Sequence, residues 1–427
     1  MRNQMFLPLC VAAALLAGCS HAGTAGVMQG PVQSSAGVTH LTGSPPPQIP
    51  QLHVSTWDAI GIPGGSYKVT MAQAAPWLNY VMTSPALSAS AKAVGMTTLL
   101  YSDPNRQYPG DVMWTNDETT FAHDCSGNRI SISGSNTWLM DPHSQHLWQL
   151  WPSFVQLTHS WGGVFDYVFE DSADEINVNR FSSMPCNFDQ TDWTNVTNQM
   201  DTALGYKIVF NGLGLVTPNS TAPGPAFALN STAQGGMSED CYVGRTPTGY
   251  YYYPHWGATE NTEILTAQAQ KLFVCHADAW VDATANDALR TYFYASFLLT
   301  YDRDAMAVDT EFLTASDLHV MPEDELVPTH PLVKTPSDIS MLMLPSGVYG
   351  REYRDCYVAG QWIGRCAAAV NPNNPSKGGP LAYPWGSKYQ HTLVMNGAGA
   401  YDGGTIATNG PPPPATLPGG SAVIVFQ

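Results

Sequence analysis

Eight short apolar runs, most of them followed by polar or helix-like sequence, organise the middle of this chain and restrict its fold more than any other feature. They fall at 52–57, 96–101, 137–140, 163–169, 207–211, 235–238 (the weakest), 271–275 and 305–308. A strand covered on both faces reads as a continuous apolar run, and parallel strands need a crossover, usually a helix. Helix patterns lie between the runs at 143–157, 191–204, 260–270 and 287–299. Eight such units in about 260 residues predict an α/β fold of the (β/α)8 TIM-barrel type. An open doubly wound sheet is the competitor, and the lack of G-x-G-x-x-G after the first run weighs against its dinucleotide-binding form.

The flanks read differently. An N-terminal Arg2 precedes an apolar run over 5–17 that is short for a membrane span and suits an export signal. It ends in Leu16-Ala17-Gly18-Cys19, which resembles the lipobox of bacterial lipoproteins and implies cleavage after residue 18 and lipidation of Cys19. Ser20 follows, which in lipoprotein sorting implies the outer membrane. Residues 1–18 are thus expected to be a signal peptide and 19–50, rich in Gly, Ser and Pro, a tether. The barrel is expected over 51–320, a Pro-containing linker after it, and a small antiparallel β-sandwich over 337–427, where short β-like runs alternate with Gly and Pro. The expected place is the bacterial cell envelope, held by lipid.

Composition narrows the partners. Asp and Glu number 34 against 17 Lys and Arg, so no nucleic-acid partner is expected. Six cysteines remain once Cys10 and Cys19 are set aside: 125, 186, 241, 275, 356 and 366. An even number in an oxidising compartment suggests three disulfides. Fifteen pairings are open, with Cys125–Cys186, Cys241–Cys275 and Cys356–Cys366 the favoured set. No zinc-like spacing occurs, and no cofactor is expected.

In a barrel of this type the working side chains project from the carboxyl ends of the strands. The polar residues there are Asp58, then Asp103 and Asn105, Asp141, Glu170 and Asp171, Asn211, Glu239, and finally His276 and Asp278. Tyr252 belongs to an aromatic stretch, Tyr250 to Tyr253 with His255 and Trp256, that suits sugar stacking. Carboxylates gathered at one mouth are what glycosidic cleavage needs: one protonates the leaving oxygen, and the other attacks or activates water. No G-x-S-x-G, P-loop or H-E-x-x-H occurs to suggest another chemistry.

The stretch Phe165-Asp166-Tyr167-Val168-Phe169-Glu170-Asp171 resembles the "(Y/F)DGVFLD" signature of glycoside-hydrolase-like barrels. Tyr101-Ser102-Asp103-Pro104-Asn105, Trp138-Leu139-Met140-Asp141-Pro142, Asn211-Gly212-Leu213 and Gly235-Gly236-Met237-Ser238-Glu239 follow in the same order, as do Tyr349-Gly350-Arg351-Glu352-Tyr353 and Val370-Asn371-Pro372 of an appended sandwich. The chain is therefore similar to the family 15-like glycosyl hydrolase group and, more distantly, to the endo-α-1,4-polygalactosaminidase barrels. That resemblance implies catalytic carboxylates at Asp171 and Glu239. Two departures stand out: Tyr167 replaces the Gly and Glu170 the apolar residue, which leaves Glu170 a rival to Asp171. The expectation is a monomeric, lipid-anchored polysaccharide hydrolase. The alternative is a carbohydrate-binding or scaffold lipoprotein that kept the barrel without the catalysis.

Overall fold

The computed structural model describes residues 52–53, 70–76, 78–132, 135–173, 181–213, 232–239, 241–246, 249–252, 255–277, 287–310, 319–320, 322–376, 378–396, 399–400 and 405–427. Cys19, and with it the expected signal and tether, lies outside the described residues.

One sheet holds eight strands in chain order: β1 (Leu52–His53), β2 (Tyr80–Met82), β3 (Thr97–Ser102), β4 (Tyr167–Glu170), β5 (Ile208–Asn211), β6 (Gly235–Ser238), β7 (Leu272–Ala277) and β8 (Met306–Thr310). Every neighbouring pair is parallel. The last strand comes round beside the first, so the sheet curls into an α/β barrel. Strand alternation sorts its residues. Met82, Leu99, Phe169, Val209, Met237, Val274 and Ala307 form one buried cluster inside the curl, one residue from each of seven strands. Their neighbours Leu100, Val168, Ile208, Phe210, Phe273, Met306 and Val308 face outward and pack with the helices.

Four of the helices form where the pattern placed them, with bounds shifted by a few residues, and one is a helix that the pattern did not mark. They include α1 (Pro85–Ala93), the unmarked one, α2 (Gln145–Ser160), α3 (Gln190–Leu204), α4 (Trp256–Gln268) and α5 (Asp287–Thr300). Ser144 and Asp189 cap α2 and α3 by accepting from the N–H groups of Leu147 and Asp192. Gly205, with φ +74°, ends α3 in the left-handed region. No helix among the described residues is long and apolar enough to cross a membrane.

One strand expectation needs correction. The run at 137–140 is not a barrel strand: Trp138–Leu139 pairs antiparallel with Arg106–Gln107, inside an insertion between β3 and α2. Leu139 buries in a separate cluster that the insertion shares with the segment after β4 and the start of α3, among Ala122, Ile130, Phe181, Phe188 and Trp193. The missing barrel strand is β2, three residues too short to stand out in sequence. The weak run at 235–238 is a full member of the sheet. A Cβ on Gly235 would sit 2.2 Å from the Leu272 carbonyl oxygen, and one on Gly236 2.6 Å from Leu213 Cγ, so glycine is what lets the neighbouring chain come this close.

Beyond the barrel, a six-stranded antiparallel sheet has Leu326–Pro331, Tyr349–Val358, Cys366–Asn371, Ser421–Phe426 and His391–Thr392 in that order, with Gln361–Trp362 pairing off the path. Its first strand lies within the stretch expected to be linker. One face packs on α5, whose residues from Leu289 to Thr300 are nearly all buried; small two-stranded ladders lie alongside. Leu381 and Leu417 of one ladder pack with Ala369, while Ala367 packs with Tyr389 and Val425, so the Ala-rich strand is enclosed on both sides. Arg351, 1% exposed, donates from Nη1 to the carbonyls of Leu299 and Tyr301 at 3.1 Å each, closing the end of α5. All three favoured disulfides are present, Cys125–Cys186, Cys241–Cys275 and Cys356–Cys366.

Candidate active site

Counting up the inner face by twos decides what lines the mouth. Above Leu99 comes Tyr101, above Phe169 Asp171, above Val209 Asn211, above Met237 Glu239, and above Val274 His276. Each is the next inward residue after a core position, where the apolar filling of the barrel ends.

Three of these meet directly. The Asn211 side-chain amide donates from Nδ2 to Asp171 Oδ1 at 3.0 Å and to Glu239 Oε2 at 3.0 Å. The two carboxylates therefore sit on either side of one nitrogen. Asp171 gathers further donors: Tyr101 Oη to Oδ2 at 2.6 Å and the Ser172 N–H to Oδ1 at 2.8 Å. Burial first, then the charges of Asp171 and Asp103, push the Tyr101 phenol well above its ordinary range, so it remains a donor. Ser172 has φ +62°, a left-handed position unusual for serine, and its hydroxyl donates to Asp103 Oδ2 at 2.8 Å. Asp103 closes a turn by accepting from the N–H groups of Asn105 and Arg106. Its deep position, and next the charge of Asp171, push its carboxyl well above the ordinary range.

Glu170 points the other way. It is 0% exposed, on the outer side of β4. Oε1 accepts from Asn105 Nδ2 at 2.7 Å, and the same Nδ2 donates to the Asp171 main-chain oxygen at 3.2 Å. Asn105 is thus a buried bracket behind the strand end and not a surface of the cleft. Asp166, at the opposite end of the barrel, is engaged by Lys92 Nζ at 2.6 Å.

Asp141 does not belong to this group. It precedes α2, with Oδ1 accepting from the His143 main-chain N–H at 2.9 Å and lying 3.1 Å from the His143 ring, whose other nitrogen lies 3.1 Å from Asp192. The reason is the misplaced strand: the run before it is part of the insertion and not of the barrel. His276 is buried at the end of β7, where its carbonyl accepts from the Cys241 N–H. Trp256 is not a stacking platform; it opens α4, nearly buried, and donates to Ser296 Oγ at 2.9 Å. Asp58 and Asp278 lie outside the described residues. So does the side chain of Tyr252, whose backbone pairs in the hairpin Val243–Thr246 with Gly249–Tyr252. Sequence reasoning did not single out Tyr101, which the inward period would have found, or Ser172 and Asp201, which no pattern marks.

Among the described residues the one cluster with metal-ligand spacing is Cys241, Glu263 and Cys275, and both sulfurs are joined in the disulfide.

No family model and no curated protein sequence matches the chain. Solved structures with a similar course of the backbone include Ega3 of Aspergillus fumigatus in complex with galactosamine (11% identity, 63% of this chain and 93% of that one, TM-score 0.39). The glycoside hydrolase domain of PelA from Pseudomonas aeruginosa is another (14%, 62% and 96%, TM-score 0.40). A third is an alpha-amylase from Lactobacillus plantarum (15%, 80% and 81%, TM-score 0.38). At these values the likeness assigns no residue a role.

Proposed function

We propose that the protein is a glycoside hydrolase that cleaves a polysaccharide with Asp171 and Glu239. The observation that carries this reading is the single Asn211 amide held between the two carboxylates. At roughly 120° between the N–H bonds of a planar amide, oxygens 3.0 Å from its nitrogen are about 5 Å apart, within the span of retaining enzymes and short of the wider gap that admits a water. Glu239 then gives its proton to the glycosidic oxygen as the bond breaks, while Asp171 attacks the anomeric carbon. In the second half-reaction Glu239 takes a proton from water, which displaces Asp171. Tyr101, Ser172 and Asn211 hold the attacking carboxylate in place.

The fold reading that goes with it is a closed (β/α)8 barrel braced by a C-terminal β-sandwich. Its support is the adjacency of β1 and β8 and the packing of α5 on the antiparallel sheet. The Leu16-Ala17-Gly18-Cys19 motif supports export and lipid anchoring at the cell envelope.

The test is reducing-end release from a polysaccharide panel by the wild type, Asp171→Asn and Glu239→Gln. Loss of turnover in both variants with unchanged melting is expected; full activity in either removes that residue from the mechanism. Binding of a glycan by the wild type with no new reducing ends would favour the carbohydrate-binding alternative. Glu170, one of the two departures from the glycosidase signature, faces away from Asp171 and Glu239, so it does not disturb the pair.

A further inference from the structure

The outward side of β4 carries a feature that the proposed reaction does not use. Glu170 and Asp201, the latter 2% exposed on α3, are both buried and lie within hydrogen-bond reach of each other. Asn105 Nδ2 reaches Oε1 of Glu170. The second Glu170 oxygen and both Asp201 oxygens are buried without a donor among the described residues. The ionisable groups that bear on Glu170 are Asp201 from α3 and Asp171 beside it in the chain, both acidic, and on Asp201 it is Glu170 itself. Two buried carboxylates in contact cannot both be ionised, and the donor they lack is supplied if one keeps its proton and gives the hydrogen bond to the other. A carboxyl pair joined in this way is well placed to hold Asn105.

We propose that Glu170 and Asp201 share one proton, and that the pair fixes the Asn105 amide and through it the main chain of Asp171. Glu170 is a positioning residue, reaching the main chain of Asp171 through Asn105. The positioning half rests on the reading of Asp171 as nucleophile; the proton sharing does not. Burial, and for Glu170 next the charge of Asp201, raises both carboxyls, Asp201 to about 7. Groups raised in the fold bind protons that the unfolded chain has released, so their contribution to stability is whole at acid pH and is lost as pH rises toward the folded values.

Glu170→Gln separates the outcomes, because the amide imitates the protonated acid: its oxygen accepts from Asn105 and its NH2 donates to Asp201. Melting of the full chain is followed from pH 4 to 9 for wild type and variant. The wild type is expected to lose more stability across this range than Glu170→Gln; superimposed profiles would overturn the shared proton. The Asn105 side-chain amide resonance, read by NMR, is expected to move with pH in the wild type and to stay fixed in the variant. An amide that ignores pH in both overturns the coupling to Asn105. Where the wild type hydrolyses a glycan, Glu170→Gln keeps kcat within about threefold, and Glu170→Leu lowers kcat about tenfold with KM unchanged. Abolished turnover in Glu170→Gln makes Glu170 a reacting group and sinks the proposal. A wild type without activity defeats the enzyme reading and leaves the melting and resonance results to decide this one.

Discussion

Replacing Asn211 by leucine, which is similar in size and cannot donate, tests whether one amide organises the site. The residue ends β5, with Nδ2 3.0 Å from each carboxylate. A hydrogen bond to a charged group contributes about 1.5–3 kcal/mol. With Glu239 carrying the proton that it gives to the glycosidic oxygen, the bond to Asp171 is the charged one, and the bond to neutral Glu239 adds about 0.5–1.5 kcal/mol. Together the loss is about 2–4 kcal/mol, or about 30–10³-fold if it falls on the transition state. The assay is kcat and KM on whichever polysaccharide the wild type cleaves, with melting as the control for folding. A variant within threefold of wild type in kcat/KM, with its fold intact, would refute the idea that this amide sets the geometry of the pair.

Four further outcomes follow from the same structure. Arg351→Met leaves the Leu299 and Tyr301 carbonyls without their donor, at about 1–3 kcal/mol for each unsatisfied group; urea titration should show a lower midpoint. Gly236→Ala drives a methyl to 2.6 Å from Leu213 and 2.9 Å from the Phe210 ring, destabilising by about 1–3 kcal/mol and lowering the melting temperature. Replacing Cys125 and Cys186 by serine frees a link across 61 residues, about 4 kcal/mol on the chain-entropy estimate, and should loosen the insertion from the loop after β4; limited proteolysis within 103–140 reads this. Thr300 has one hydroxyl proton and contacts both Glu260 and Glu263, so one of these buried acids must be protonated. Burial raises Glu263 to about 8, so stability falls as pH rises from about 4 through that value, and Glu263→Gln should flatten the fall in a melting series.

Much of this molecule was legible from local chemistry. Continuous apolar runs meant strands covered on both faces, the helix patterns between them meant crossovers, and six cysteines behind an export-like N-terminus meant three bridges. Such signals are short-range, and the backbone period makes them readable. The same period limits what they say. It separates Glu170 from Asp171, one to each face of β4, without saying which face is the cleft, because that depends on where the helices lie. It could not rank 137–140 against 80–82, since an apolar run reads alike in a barrel strand and in an insertion that packs into a small cluster outside the barrel. Above all, alternation cannot bring Asp171, Asn211 and Glu239 to one nitrogen, or Asp201 to the back of Glu170. Those meetings come from strand order, register and the helix laid across the sheet, which join residues tens of positions apart. Sequence named Asp171, Glu170 and Glu239 but not Asp201; strand order and the helix laid on the sheet decided which of these acids meet.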